Sequence, residues 1–205
     1  MVKMVKARLA RLKPLLLAPA LAGCTTGASL MALHGDPDMS FSGFHVCHGY
    51  GCSFESKAAL SAEEVSGIGA IFRPPPASAE EERARIGAAV ARVETLVGTQ
   101  IGTSADEAGA GPFGGIKQQD CIDEAVNTTH YLTLMERAGW LAFHRVGEPA
   151  HRGIDIGRWP HNTATVIETA SGRRYVIDSW FHANGEAPEI VPVELWATGW
   201  GPEKR

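Results

Sequence analysis

The chain is poor in cysteine, with four in 205 residues. That excludes a small disulfide-stapled scaffold, because a chain this long buries a core large enough to fold without staples. It also lacks an excess of positive charge: 19 lysines and arginines stand against 23 acids, for a net charge of −4. No global field draws it to a polyanion, and no nucleic-acid partner is expected. Internal repeats are missing, which excludes solenoids and arrays. No apolar run is long enough for a lasting transmembrane helix, which needs about 20 residues. Acids are missing from one end: none precedes Asp36, whereas Lys3, Lys6, Arg8, Arg11 and Lys13 crowd the first positions. The rest of the composition, 44% apolar and 20% charged, is that of one globular domain with at most a small extension.

The basic head leads into "PLLLAPALA" and then "LAGC", ending at Cys24. Charged, apolar and small-residue regions in that order read as a secretory signal. Leu21-Ala22-Gly23-Cys24 resembles the bacterial lipobox, which implies removal of residues 1–23 and lipid on the Cys24 thiol. Thr25 rather than Asp follows, which implies anchoring at the periplasmic side of the outer membrane. An ordinary cleaved signal with an incidental cysteine is the alternative.

Export bears on the remaining thiols. Cys47 and Cys52 lie close together in "HVCHGYGCS", and an oxidising compartment favours a disulfide loop between them. His45, Cys47, His48 and Cys52 offer zinc-ligand side chains but lack two clean ligand pairs, so neither metal nor cofactor is expected. Cys121 is then an odd thiol in an exported protein.

Residues 24–43 lack periodicity and read as a flexible tether, followed by a helical part over 44–112 that carries the Cys47–Cys52 loop and a core over 113–205. Ser61 and Ser78 are expected N-caps. After Ser78, Ile86, Ala89, Val90, Val93, Leu96 and Val97 recur at helical steps, so one face is buried. Residues 102–115 read as a loop. A third helix runs from near Gln119 to Arg137, with Gly139 as a stop. "WLAFHRVG" is a short strand, "AHRGIDIGRWP" a loop or edge segment, and "HNTATVIET" and "RRYVIDSWF" are strands joined by "ASG". The expected class is α+β, with helices packed on a small antiparallel sheet.

This arrangement puts Cys121 in the first turn of a helix, where the dipole favours a thiolate. His161 opens one strand and Asp178 closes the next. Because side chains alternate along a strand, an even-residue connection puts the two on one face. His130, nine residues after Cys121 on the same helix, points away from it. His182 is an alternative base, and His144 and His151 are expected to be exposed. Arg158 and Trp159 either line a substrate cleft or face solvent at the sheet edge.

The order of helix cysteine, strand histidine and next-strand aspartate, spaced 40 and 17 residues apart, resembles the transglutaminase-like branch of the papain-like fold. "DCIDEAVNTTHYLTLMERAG", "HNTATVIET" and "RRYVIDSW" are similar to bacterial transglutaminase-like cysteine peptidases over about residues 116–182. The resemblance implies that Cys121 attacks an amide carbonyl, His161 moves the proton and Asp178 orients the imidazole. It implies Trp180 as a shield over the His–acid bond. The Cys121 N–H would form half of an oxyanion hole, with Gln118 or Gln119, closer to the cysteine than the family pattern, as candidates for the other half. The partners implied are a peptide or protein substrate and the membrane, through lipid on Cys24. A peptidoglycan stem-peptide hydrolase of the NlpC/P60 type is a rival; Asp178-Ser179-Trp180 fits the transglutaminase-like branch better. A non-catalytic envelope lipoprotein on a degenerate scaffold is the other.

Overall fold

The structure, a computed structural model, describes residues 27–111, 114–153 and 160–202. The signal segment, Cys24, Arg158 and Trp159 lie outside the described residues. The elements are α1 (Gly27–His34), β1 (Phe44–His48), β2 (Phe54–Ala58), α2 (Ala62–Ala70), α3 (Ala79–Ile101), α4 (Cys121–Arg137), β3 (His144–Arg152), β4 (His161–Glu168), β5 (Arg174–Ile177) and α5 (Val193–Ala197). The class is α+β, with two small antiparallel sheets.

Side-chain caps set the helix starts. Ser61 accepts from Glu64 N–H, and the Glu64 carboxylate accepts from Ser61 N–H, closing a capping box at α2. Ser78 accepts from Glu81 N–H to open α3, which ends at Gly102 in the left-handed region. The stripe on α3 is as its spacing predicts: Ile86, Ala89, Val90, Val93 and Val97 are buried. The same helix buries Glu82, whose carboxylate accepts the N–H groups of Ala142, Phe143 and His144 and bonds the His144 ring. An acid on a helix thus anchors the start of β3, and His144, expected at the surface, is buried.

One hydrophobic cluster joins Phe44 and Val46, Ile68, Val90 and Val93, Leu132 and Met135, and Ala164, Val166 and Ile177. The boundary expected at residues 112 and 113 therefore does not divide the interior. Two further expectations are corrected. Residues 27–34 of the supposed tether form α1, because Leu30 finds a buried seat against Cys47, Cys52 and Val126. Residues 44–58, expected only to carry the Cys47–Cys52 loop, form a hairpin, with Cys47 opposite Glu55. Its strands are five residues each and alternate weakly, so they leave little periodic signal.

In the larger sheet, β4 lies between β3 and β5. Ala164 and Val166, with Tyr175 and Ile177, face the α4 residues Leu132 and Met135. On the opposite face, Val176 packs with Ala150 and Trp196. Glu168 N–H donates to Arg173 O, so residues 169–172 connect the strands. That connection is even, which puts His161 and Asp178 on one face.

Candidate active site

The start of α4 is held by two carboxylates. Asp120, its N-cap, accepts from Ile122 N–H at 3.0 Å and Asp123 N–H at 2.9 Å, and Asp123 accepts from Asp120 N–H at 3.0 Å. The hairpin loop grips the same pair. Tyr50 and Cys52 donate backbone N–H groups to Asp123 at 2.9 and 2.7 Å, and Gly51 donates to Asp120 at 3.1 Å. To aim these amides, Gly49, Tyr50, Gly51 and Cys52 all take positive φ, at 78, 71, 63 and 54°. For Tyr50 and Cys52 that conformation costs about 1–2 kcal/mol each. The Cys47–Cys52 disulfide closes this loop, as expected.

Cys121 is free and half-buried at the first position of α4. Burial pushes its thiol up from an ordinary 9.0 to about 11; the Asp120 and Asp178 charges push the same way, and the Asn162 backbone N–H and side-chain amide oppose them. The thiol is therefore neutral at rest. The Asn162 amide nitrogen lies 4.0 Å from the sulfur. Its amide oxygen is held by His151 Nδ1 at 3.1 Å, which turns the NH2 toward Cys121. His151 is half-buried rather than exposed, and its buried Nε2 has no hydrogen-bond partner among the described residues.

His161 and Asp178 are brought together. His161 Nε2 lies 2.8 Å from Asp178 Oδ2, with both side chains almost fully buried. Continuing the strand register puts Asp178 opposite Thr163, two residues from His161, so the contact is diagonal. Trp196 Nε1 donates to the same carboxylate oxygen at 2.7 Å. An ionised Asp178 takes the Nε2 proton as its partner, which leaves Nδ1 as the basic nitrogen. Trp180, Phe181 and Trp196 surround the imidazole at centroid distances of 4.8, 5.4 and 5.5 Å. Trp180 does shield the histidine, but the indole bonded to the acid is that of Trp196, which no motif marks.

No hydrogen bond joins Cys121 to His161; the sulfur instead meets Asn162, the next residue along β4. Gln118 and Gln119 are committed elsewhere. Gln118 bonds Glu107 N–H and Ala105 O, and Gln119 donates to Cys47 O at 3.0 Å. Their amides pin the preceding loop and the hairpin, so a donor beside the sulfur comes from Asn162 instead. Sequence reasoning missed Asn162, although its place directly after His161 was a usable signal.

The loop before α4 is fastened over Trp180, whose carbonyl accepts from Gly109 N–H and whose indole donates to Ala110 O. Ser179 bonds Thr128 at 3.2 Å, tying the strand end to α4. Beneath lie buried acids: burial raises Glu94 and Asp106 to about 7, and raises Glu124, one turn after Cys121, well above the usual range. His130 is buried and bonds His45 O. His182 is paired with Glu189 at 3.0 Å and Glu186 at 3.5 Å, away from a base's role. Of the residues weighed for zinc, His45 pairs with Asp36, and His48 bonds Ile116 O and Ser56. No protein-family description, curated protein or solved structure matches this chain.

Proposed function

We propose that the protein is a thiol hydrolase or acyltransferase of transglutaminase-like, papain-like type, acting on an amide bond in a peptide or protein. The observation that carries this reading is the buried Asp178–His161 pair at the start of β4, next in sequence to Asn162, whose amide meets the Cys121 sulfur. The Cys121 proton passes to His161 Nδ1 as the sulfur attacks the carbonyl carbon. A general-base start suits a thiol held neutral; a resting ion pair does not. The tetrahedral oxyanion takes hydrogen bonds from Cys121 N–H and the Asn162 amide. Collapse expels the amine, which leaves with the proton from His161, and a thioester remains on Cys121. Water or an acceptor amine then releases the acyl group. Side chains alternate along β4, so Asn162 faces α4 while His161 faces the other side with Asp178; proton transfer from Cys121 requires the imidazole to reach round the start of the strand when substrate binds. Lipid on Cys24 would hold the domain at the periplasmic face of the outer membrane.

The neutral thiol also favours a second reading, a non-catalytic envelope lipoprotein on the same scaffold. A pool of peptides incubated with the protein and read by mass spectrometry for new termini or new amide links separates the two. The enzyme reading expects products from the wild type and none from Cys121→Ala or His161→Gln. Products that persist in Cys121→Ala, or a folded wild type that forms none, would sink it.

A further inference from the structure

A second group of potential ligands lies outside this site. His34 at the end of α1, Cys47 on β1, Cys52 in the loop and Glu55 on β2 direct one ligand atom each into a common volume, all within 4.8 Å of one another. Glu55 Oε1 is 3.5 Å from His34 Nδ1 and 3.6 Å from Cys52 Sγ. Around a tetrahedral zinc, with Zn–S about 2.3 Å and Zn–N or Zn–O about 2.0–2.2 Å, neighbouring ligands stand roughly 3.3–3.8 Å apart. The carboxylate contacts already have that spacing. The two sulfurs, bonded in the disulfide, are too close.

The backbone is set for the sulfurs to part without moving the chain. Cys47 N–H donates to Asn127 Oδ1 at 2.7 Å, and Cys47 O accepts from Asn127 Nδ2 at 2.8 Å and Gln119 Nε2 at 3.0 Å. Cys52 N–H is held by Asp123 at 2.7 Å. These bonds to α4 and its leading residues keep both cysteines in register whether or not the sulfurs are joined. The Cα atoms are 4.6 Å apart, close enough for both thiolates to chelate one ion. Leu30 seats α1 on the same cysteines, so His34 stays in reach.

We propose that, once the Cys47–Cys52 disulfide is reduced, His34, Cys47, Cys52 and Glu55 bind one zinc ion. An external dithiol supplies two electrons and two protons and becomes a disulfide; Cys47 and Cys52 become thiols. Zinc then takes both as thiolates, with two protons leaving to solvent, a neutral imidazole as third ligand and the Glu55 carboxylate as fourth. The disulfide and the zinc centre are alternative closures of one loop, selected by the redox poise of the compartment. The proposal is independent of catalysis at Cys121.

Cobalt(II) titration of the phosphine-reduced protein tests it, in a Cys24→Ser/Cys121→Ser background so that only this thiol pair contributes. The expected result is one cobalt per chain, thiolate-to-metal charge-transfer absorption, tetrahedral d–d bands and displacement by zinc. The oxidised protein should bind none. His34→Ala and Glu55→Gln change partly exposed side chains and keep the fold; each should weaken binding tenfold or more. Absence of binding to the reduced protein would overturn the proposal. So would equal binding by the oxidised form, or binding indifferent to both substitutions.

Discussion

Cys121 sits under opposed influences. Burial and the Asp120 and Asp178 charges hold its proton, while the Asn162 backbone and side-chain N–H groups favour the thiolate. With the thiol raised from 9.0 to about 11, the thiolate fraction near neutral pH is about a hundredfold below that of an ordinary cysteine. Alkylation of the folded protein by iodoacetamide should therefore climb about tenfold per pH unit from 7 to beyond 9, with no plateau below about 10. Asn162→Ala removes the amide beside the sulfur and should slow alkylation further at any fixed pH in that range. Mass-resolved rates at Cys121 check both, and a plateau near pH 6 would mean a resting ion pair with a histidine. Asp178 plays a different part. With Trp196 and His161 both on one carboxylate oxygen, it fixes which imidazole nitrogen stays basic.

The decisive join between elements is that of the hairpin to α4. Asn127 spans them with a bidentate pair, giving and taking a hydrogen bond on the main chain of Cys47. Asn127→Ala leaves the Cys47 N–H buried and unpaired, at about 1–3 kcal/mol, while Cys47 O keeps the bond from Gln119. Urea unfolding should show a loss of roughly 1–3 kcal/mol. A loss below about 1 kcal/mol would mean that the hairpin is held chiefly by Asp120, Asp123 and the disulfide. The Asp120–Asp123 capping box was readable in "DCIDE", because a cap is a local interaction between residues three apart. That its carboxylates also receive the Tyr50, Gly51 and Cys52 amides was not, because those partners lie about 70 residues away.

At the scale of the whole molecule, the buried acids couple folding to pH. Burial raises Glu94, Asp106 and Asp123 to about 7 and Glu124 further, whereas the unfolded chain releases these protons near pH 4. Between those limits the folded state binds more protons, so this contribution is full at low pH and is lost as pH rises toward 7. His130 acts the opposite way: burial lowers its affinity for a proton, so the unfolded state gains below about pH 6.5. Four acids outweigh one histidine. The thermal midpoint should be higher at pH 5.5 than at pH 8, as followed by circular dichroism. Equal midpoints would mean that the acids are already ionised in the fold.

Local signals in the chain were sufficient for the serine caps, the apolar stripe of α3, the strand pair around residues 169–172 and the loop cysteines, because each depends on neighbours a few positions apart. The even connection that lets His161 meet Asp178 was legible only as a parity. A slip of two residues keeps the face but changes the partner, and the strands' packing on α4 chose among the slips. Tertiary structure alone brought Trp196 to Asp178, Asn162 to the Cys121 sulfur, and His34 and Glu55 to the loop cysteines. Those contacts cross long stretches of chain, and they form because burial against α4 and the central sheet fixes distant backbones at one separation.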